Sequence, residues 1–178
     1  MDWYTTFKFL HVLAAIIWIG GAFIMLVFGI EAVRKGDNAQ LVGVASQMGW
    51  AAERVYVPAS MATVVLGIIV ATLGGMWSQL WVILGLVGMA ITMALGILVL
   101  TPRAKKLAGA VASPATAAVA RDLVTLVKFD CAALFVVVAD MVLKPGTSDW
   151  AVLVVLAVVV VGAAVLWLVP TLRRAALA

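Results

Sequence analysis

Five stretches of the chain stay apolar for about 20 residues each, the length of helix that crosses a bilayer core about 30 Å thick. They run from about Phe7 to Ile30, Val55 to Leu73, Leu80 to Leu100, Leu123 to Leu143 and Trp150 to Val169. The runs are continuous, which favours helices over a membrane barrel, whose strands alternate in shorter segments. The pattern predicts an all-α, polytopic bundle of five transmembrane helices forming one domain over residues 1–178. The first run is too long for a signal-peptide core, and Asp2 precedes it where a basic region would stand, so it reads as a retained helix.

Charge adds direction. Arg34 and Lys35 follow the first run, Arg54 opens the second, and Arg103, Lys105 and Lys106 follow the third. Arg121 opens the fourth, and Arg173 and Arg174 end the fifth, while the other side carries only Lys8 and Lys144. That asymmetry predicts an outer N-terminus and a cytoplasmic C-terminus. Trp3, Tyr4, Trp77, Trp81 and Trp150 then make an outer aromatic belt, with Trp50 on the inner side.

Composition agrees: 66% of the 178 residues are hydrophobic and 11% charged. A soluble domain carries about 25% charged residues, so a soluble enzyme, a disordered region and a disulfide scaffold are all excluded. The net charge of +4 lies in short loops, which makes it an orientation signal and leaves no nucleic-acid footprint. The partner is the lipid bilayer, together with a second copy of the chain or a membrane-complex subunit as open alternatives. Two inner polar segments, Arg34–Gln47 and Thr101–Asp122, are Ala-rich and read as helical extensions broken at Thr101-Pro102 and Ser113-Pro114. Neither holds a soluble domain.

Small residues and prolines mark the packing. Gly88, Thr92 and Gly96 share one face of the third helix, and Gly21 with Gly29 makes a small face on the first. Pro58 removes a backbone donor and is expected to kink the second helix.

The fourth run is anomalous because it contains Lys128, Asp130 and Asp140. Each such residue near the membrane centre costs about 2.5–3.5 kcal/mol. Lys128 can snorkel to the inner headgroups. Asp130 is too short for that, and its expected partner is Arg54, at similar inner depth, or Glu31 and Glu53 through a shared proton. Asp140 pairs either with Lys144 four residues on or with His11, which lies at comparable outer depth on a stripe with Lys8 and Trp18. A His held by an Asp is a proton relay, and neutral imidazole is also a ligand for a metal ion or haem. His11 is the sole histidine, so a metal or haem would be held by His–Met ligation, by His from two protomers or by one axial His. The plain alternative is that every one of these groups only fixes helix register. No nucleotide loop, nucleophile elbow, zinc motif or thiol pair is present.

The stretch from Lys8 through Leu10-His11 to Trp18-Ile19-Gly20-Gly21 resembles the opening of a bacterial family of predicted integral membrane proteins, domain of unknown function 2269. Arg54 with Val57-Pro58-Ala59-Ser60, the turn Gly75-Met76-Trp77 with Trp81, and Asp140 through Pro145 are similar too. That resemblance implies a bacterial inner-membrane protein. The first helix in turn looks like those of copper-resistance CopD proteins and HemJ-type protoporphyrinogen oxidases, a likeness that implies a haem- or metal-associated His11 and an intramembrane lysine, for which Lys128 is the candidate. Three functional readings follow: proton or metal/haem-type ligand handling, a non-catalytic accessory or structural subunit, and a haem-dependent membrane oxidoreductase.

Overall fold

The computed structural model describes residues 2–177, with side chains to 174. Among them the chain is all-helical, with five long helices joined by short turns. They are α1 (Trp3–Lys35), α2 (Asn38–Leu73), α3 (Leu80–Leu107), α4 (Pro114–Leu143) and α5 (Trp150–Arg174). Four of them, α1, α2, α3 and α5, are long and apolar enough to cross a membrane. The 30 residues of α4 are long enough as well, but Arg121, Asp122, Lys128, Asp130 and Asp140 set its composition apart.

Local chemistry sets each boundary. Asp2 caps α1 by accepting from the Tyr4 and Thr5 amides at 3.1 and 3.3 Å. At the other end Gly36, at φ 69°, takes the left-handed conformation that stops the helix. Asp37 at once caps α2 through the Gln40 amide at 2.9 Å, so the expected helical extension is interrupted by only two residues. Ser113 starts α4 with a capping box, its hydroxyl accepting from the Thr116 amide at 3.2 Å while Thr116 Oγ1 accepts from the Ser113 amide at 2.8 Å.

Thr101-Pro102 does not break the third helix. The chain widens instead into a π-turn at Gly96–Leu100 and continues to Leu107. The same device recurs at Ala52–Tyr56 ahead of Pro58 and at Ala164–Leu168 ahead of Pro170. Proline has no amide to donate and crowds the carbonyl four residues back. Widening the preceding turn to i→i+5 bonding, as in Val57 N–H to the Ala52 carbonyl, carries the helix past it.

Helix α4 is the hub, packing on α1, α2, α3 and α5. Helices α1 and α2 pair along the segment Val57–Leu73 of α2. The densest packing lies at the end of the bundle opposite the N-terminus. There Leu41, Val42 and Met48 of α2 meet Leu107 of α3 and Leu123 and Val124 of α4. At 33 and 36 residues, α1 and α2 are about 50 Å long, well beyond a bilayer core. The polar Ala-rich segments therefore extend the bundle as packed helix. Charged pairs rim this end: Glu31 with Lys35 at 2.8 Å, Glu53 with Lys105, and Arg174 with Asp122 at 3.7 Å.

Candidate functional site: a lone carboxyl in an apolar cavity

Asp130 lies on the inward face of α4, 7% exposed, and its Oδ1 is buried with no hydrogen-bond partner. It lines a cavity of about 70 Å³. That is room for water, which occupies about 30 Å³ per molecule in the liquid. The walls come from four helices: Trp18 and Met25 of α1, Met48 and Tyr56 of α2, Leu100 of α3, and Leu123 beside Asp130 on α4. Two of the three π-turns face this space, through Ala52 and Tyr56 and through Gly96 and Leu100. Polar atoms are few. The Thr101 side chain lines the cavity, and the Tyr56 hydroxyl donates to the Gly21 carbonyl at 3.0 Å.

The expected Arg54–Asp130 pair is absent. Arg54 is exposed, with its guanidinium 5.4 Å from the Trp50 ring centroid. Glu53, the acid offered as a proton-sharing alternative, is bridged to Lys105, whose ammonium holds its carboxyl below the usual range. Glu31 is likewise held down, by Lys35. Lys128 is half-buried on α4 and forms no ion pair among the described residues. Lys8 is exposed, with Nζ 5.8 Å from the Tyr4 ring centroid.

His11 and Asp140 are not partners either. Nδ1 of His11 lies 2.8 Å from the Thr63 carbonyl on α2, so that nitrogen carries the proton and donates. The ring rests on Gly67, where a Cβ would stand 3.0 Å from Cε1. Asp140 is 3% exposed on α4, and neither carboxyl oxygen has a partner. It faces Gly85 of α3, with Oδ2 3.5 Å from where a Cβ would be. Lys144 does not neutralise it, lying instead 5.3 Å from the Trp81 ring centroid.

The packing glycines divide. Gly21 seats the Tyr56 ring and Gly88 seats Val137, with a Cβ at 2.8 and 2.6 Å from their nearest atoms. Gly96 has nothing within 4 Å and lines the cavity instead. Thr92 is buried, and its hydroxyl bonds back to the Gly88 and Met89 carbonyls at 3.2 and 3.1 Å. Sequence reasoning missed Tyr56, Gly67, the contact of His11 with the Thr63 carbonyl and the π-turns. The signal was present in three prolines, Pro58, Pro102 and Pro170, each inside an apolar or helix-forming run that had to continue.

As a metal centre, the donor set is thin. Among the described residues no three of His, Cys, Asp and Glu come together, and His11 offers one free nitrogen. Protein metal sites take three or four ligands, so the residues present do not fit one.

A family described as predicted integral membrane protein (DUF2269) matches residues 5–145. No curated protein and no solved structure matches the chain.

Proposed function

We propose, from the premise that the chain belongs to the DUF2269 family of predicted integral membrane proteins, that it handles protons through Asp130. In this reading all five long helices cross the membrane, α4 included. The observation that carries it is the buried Asp130 carboxyl, which lines an apolar cavity with no counter-charge beside it. An ionisable group inside a membrane bundle is costly, and its presence marks a pathway unless something neutralises it. A lone carboxyl satisfies its own charge only by holding a proton, and releases that proton when water or a base reaches it. Asp140 is a second such group, about 15 Å farther along α4 at ten residues' rise.

Burial supports the fifth crossing. Nine of the twelve residues 123–134 of α4 are buried by neighbouring helices, so Asp130 meets protein where a lone helix would meet lipid. The basic excess at the end holding Lys35, Lys105 and Arg174 supports a cytoplasmic C-terminus and an outer N-terminus in a bacterial inner membrane. The copper and haem-oxidase likenesses of the first helix rest on His11, whose single free nitrogen makes no metal centre by itself.

The test is infrared difference spectroscopy on the purified protein in liposomes during a pH step. A carboxyl C=O band that disappears in Asp130→Asn, with loss of proton uptake reported by an entrapped dye, is the expected result. An unchanged band and unchanged uptake in that variant would overturn the proton reading and leave the accessory-subunit role.

A further inference from the structure

The three π-turns share a rule. Each spans five residues, ends two residues before a proline, and contains no buried residue. A π-turn is a local insertion with poorer hydrogen bonding, and proline removes one more bond across the next turn. The helices are therefore weakest in bending at these points.

Two of the turns wall the Asp130 cavity, and the segments beyond them are locked together. Asn38–Ala51 of α2 crosses Thr101–Leu107 of α3 at Gly49, where a Cβ would stand 3.2 Å from the Ala104 backbone and side chain. The Glu53–Lys105 bridge ties the same pair near the hinge. Met48 and Ala104, on this paired body, line the cavity, while Leu123 and Asp130 belong to α4. Helix α4 has no π-turn and no proline between its first residue and Pro145. One wall can thus move as a unit against another that cannot.

We propose that the paired inner segments of α2 and α3 form a lid, hinged at the π-turns before Pro58 and Pro102, that swings to widen the Asp130 cavity toward the inner face. This rests on the proton reading for its purpose, since opening gives the carboxyl access to water. The groups facing the cavity from the packed helices are Tyr56 and Asp130 alone among titratable side chains, with Cys131 next to Asp130 on α4. Ionic attraction across the cavity therefore does not hold the lid in place; the packing of Leu41, Val42 and Met48 on Leu123 and Val124 does, with the Arg121–Asn38 hydrogen bond at 2.7 Å.

The experiment uses the full chain in inside-out vesicles with the native cysteine removed by Cys131→Ser. A cysteine at Leu123, 1% exposed on the fixed wall and lining the cavity, reports opening through its rate of alkylation by an impermeant maleimide. A cysteine at Leu134, 0% exposed and outside the cavity lining, is the closed control. Leu123→Cys should react at least about tenfold faster than Leu134→Cys, as local opening without global unfolding requires. Deleting Leu98 from the π-turn and replacing Pro102 by Ala restores a continuous α-helix and should slow Leu123→Cys to the control rate. Should that variant fail to fold, Pro58→Ala and Pro102→Ala singly serve, each expected to slow labelling. Equal rates at positions 123 and 134, or labelling indifferent to every hinge variant, would overturn the lid. Labelling that follows the hinges while the Asp130 infrared band is absent would uphold the lid and sink the proton reading.

Discussion

Replacing Asp130 by Leu should make the protein more stable while abolishing its proton binding. The carboxyl is 7% exposed with an unpartnered Oδ1, and an unsatisfied buried polar group costs about 1–3 kcal/mol. Leucine keeps the branched shape, and its larger side chain has a cavity of about 70 Å³ to enter, so overpacking is avoided. Helix preference adds a few tenths of a kcal/mol in the same direction. For a chain of this size each kcal/mol moves Tm by about 2–4 °C, which makes the expected rise about 3–14 °C. Thermal unfolding in detergent, followed by the emission of the seven tryptophans, reads it directly. Cavity water bonded to the carboxyl would bring the rise toward the lower figure. The opposite sign decides against the reasoning. If Arg54 or Lys128 reached Asp130 in the bilayer, removing the carboxyl would strand a buried cation at about 3–5 kcal/mol, and Tm would fall. A fall of more than about 5 °C on that scale refutes a lone Asp130.

Gly88→Ala should cost about 1–3 kcal/mol by driving a Cβ to 2.6 Å from Val137 Cγ2, a stiff β-branched neighbour. Adding Val137→Ala should recover much of the loss, and a double-mutant cycle of melts with coupling near zero would contradict the contact. Ser113→Ala removes the capping box of α4 and should cost about 1 kcal/mol, seen as faster amide exchange in the first turn from Pro114. Glu53, held below its usual range by Lys105, contributes stability at neutral pH that is lost as pH falls through its folded-state value. Lys105→Met should flatten that acid limb of Tm against pH, and so should high salt, because the pair is exposed.

The helices were legible because an apolar run of crossing length has few other solutions. Their ends were not. The Ala-rich segment Arg34–Gln47 reads as a helical extension, but its mix of Asn, Gln, Gly and Ser does not reveal that Asn38–Ala51 buries Leu41, Val42, Ala45 and Met48 on one face against α3 and α4. The polar partners failed for a different reason. Depth along a helix follows from residue count, but azimuth does not survive a π-turn, which inserts a residue and turns the preceding segment by about 100°. Arg54 lies within such a turn and points away from Asp130, over Trp50. His11 was matched to Asp140 by depth alone. Helix α1 packs chiefly on α2, so its imidazole meets the Thr63 carbonyl, while Asp140 faces Gly85 on α3.

The helix least suited to lipid by composition is the one most enclosed by the others. Twelve residues of α4 are buried, Asp130 and Asp140 among them, whereas the Trp150–Ala163 segment of α5 buries only Ala163 and exposes a run of valines. In water such a division would be odd, since the apolar helix would take the centre. In lipid it is what solvation demands: tails cover valine at no cost, and a carboxyl must be given protein on every side. Small residues make that enclosure possible, with Gly29 admitting Val124, Gly88 admitting Val137 and Gly85 admitting Met141 beside Asp140. Substituting any of these glycines therefore loosens the wrapping around α4 before it touches a carboxyl. A protein built only for packing gains nothing from carboxyls that need such wrapping, because leucine at the same positions would hold the bundle better. Retaining two of them, unpaired, on its most protected helix is what the proposed proton site requires.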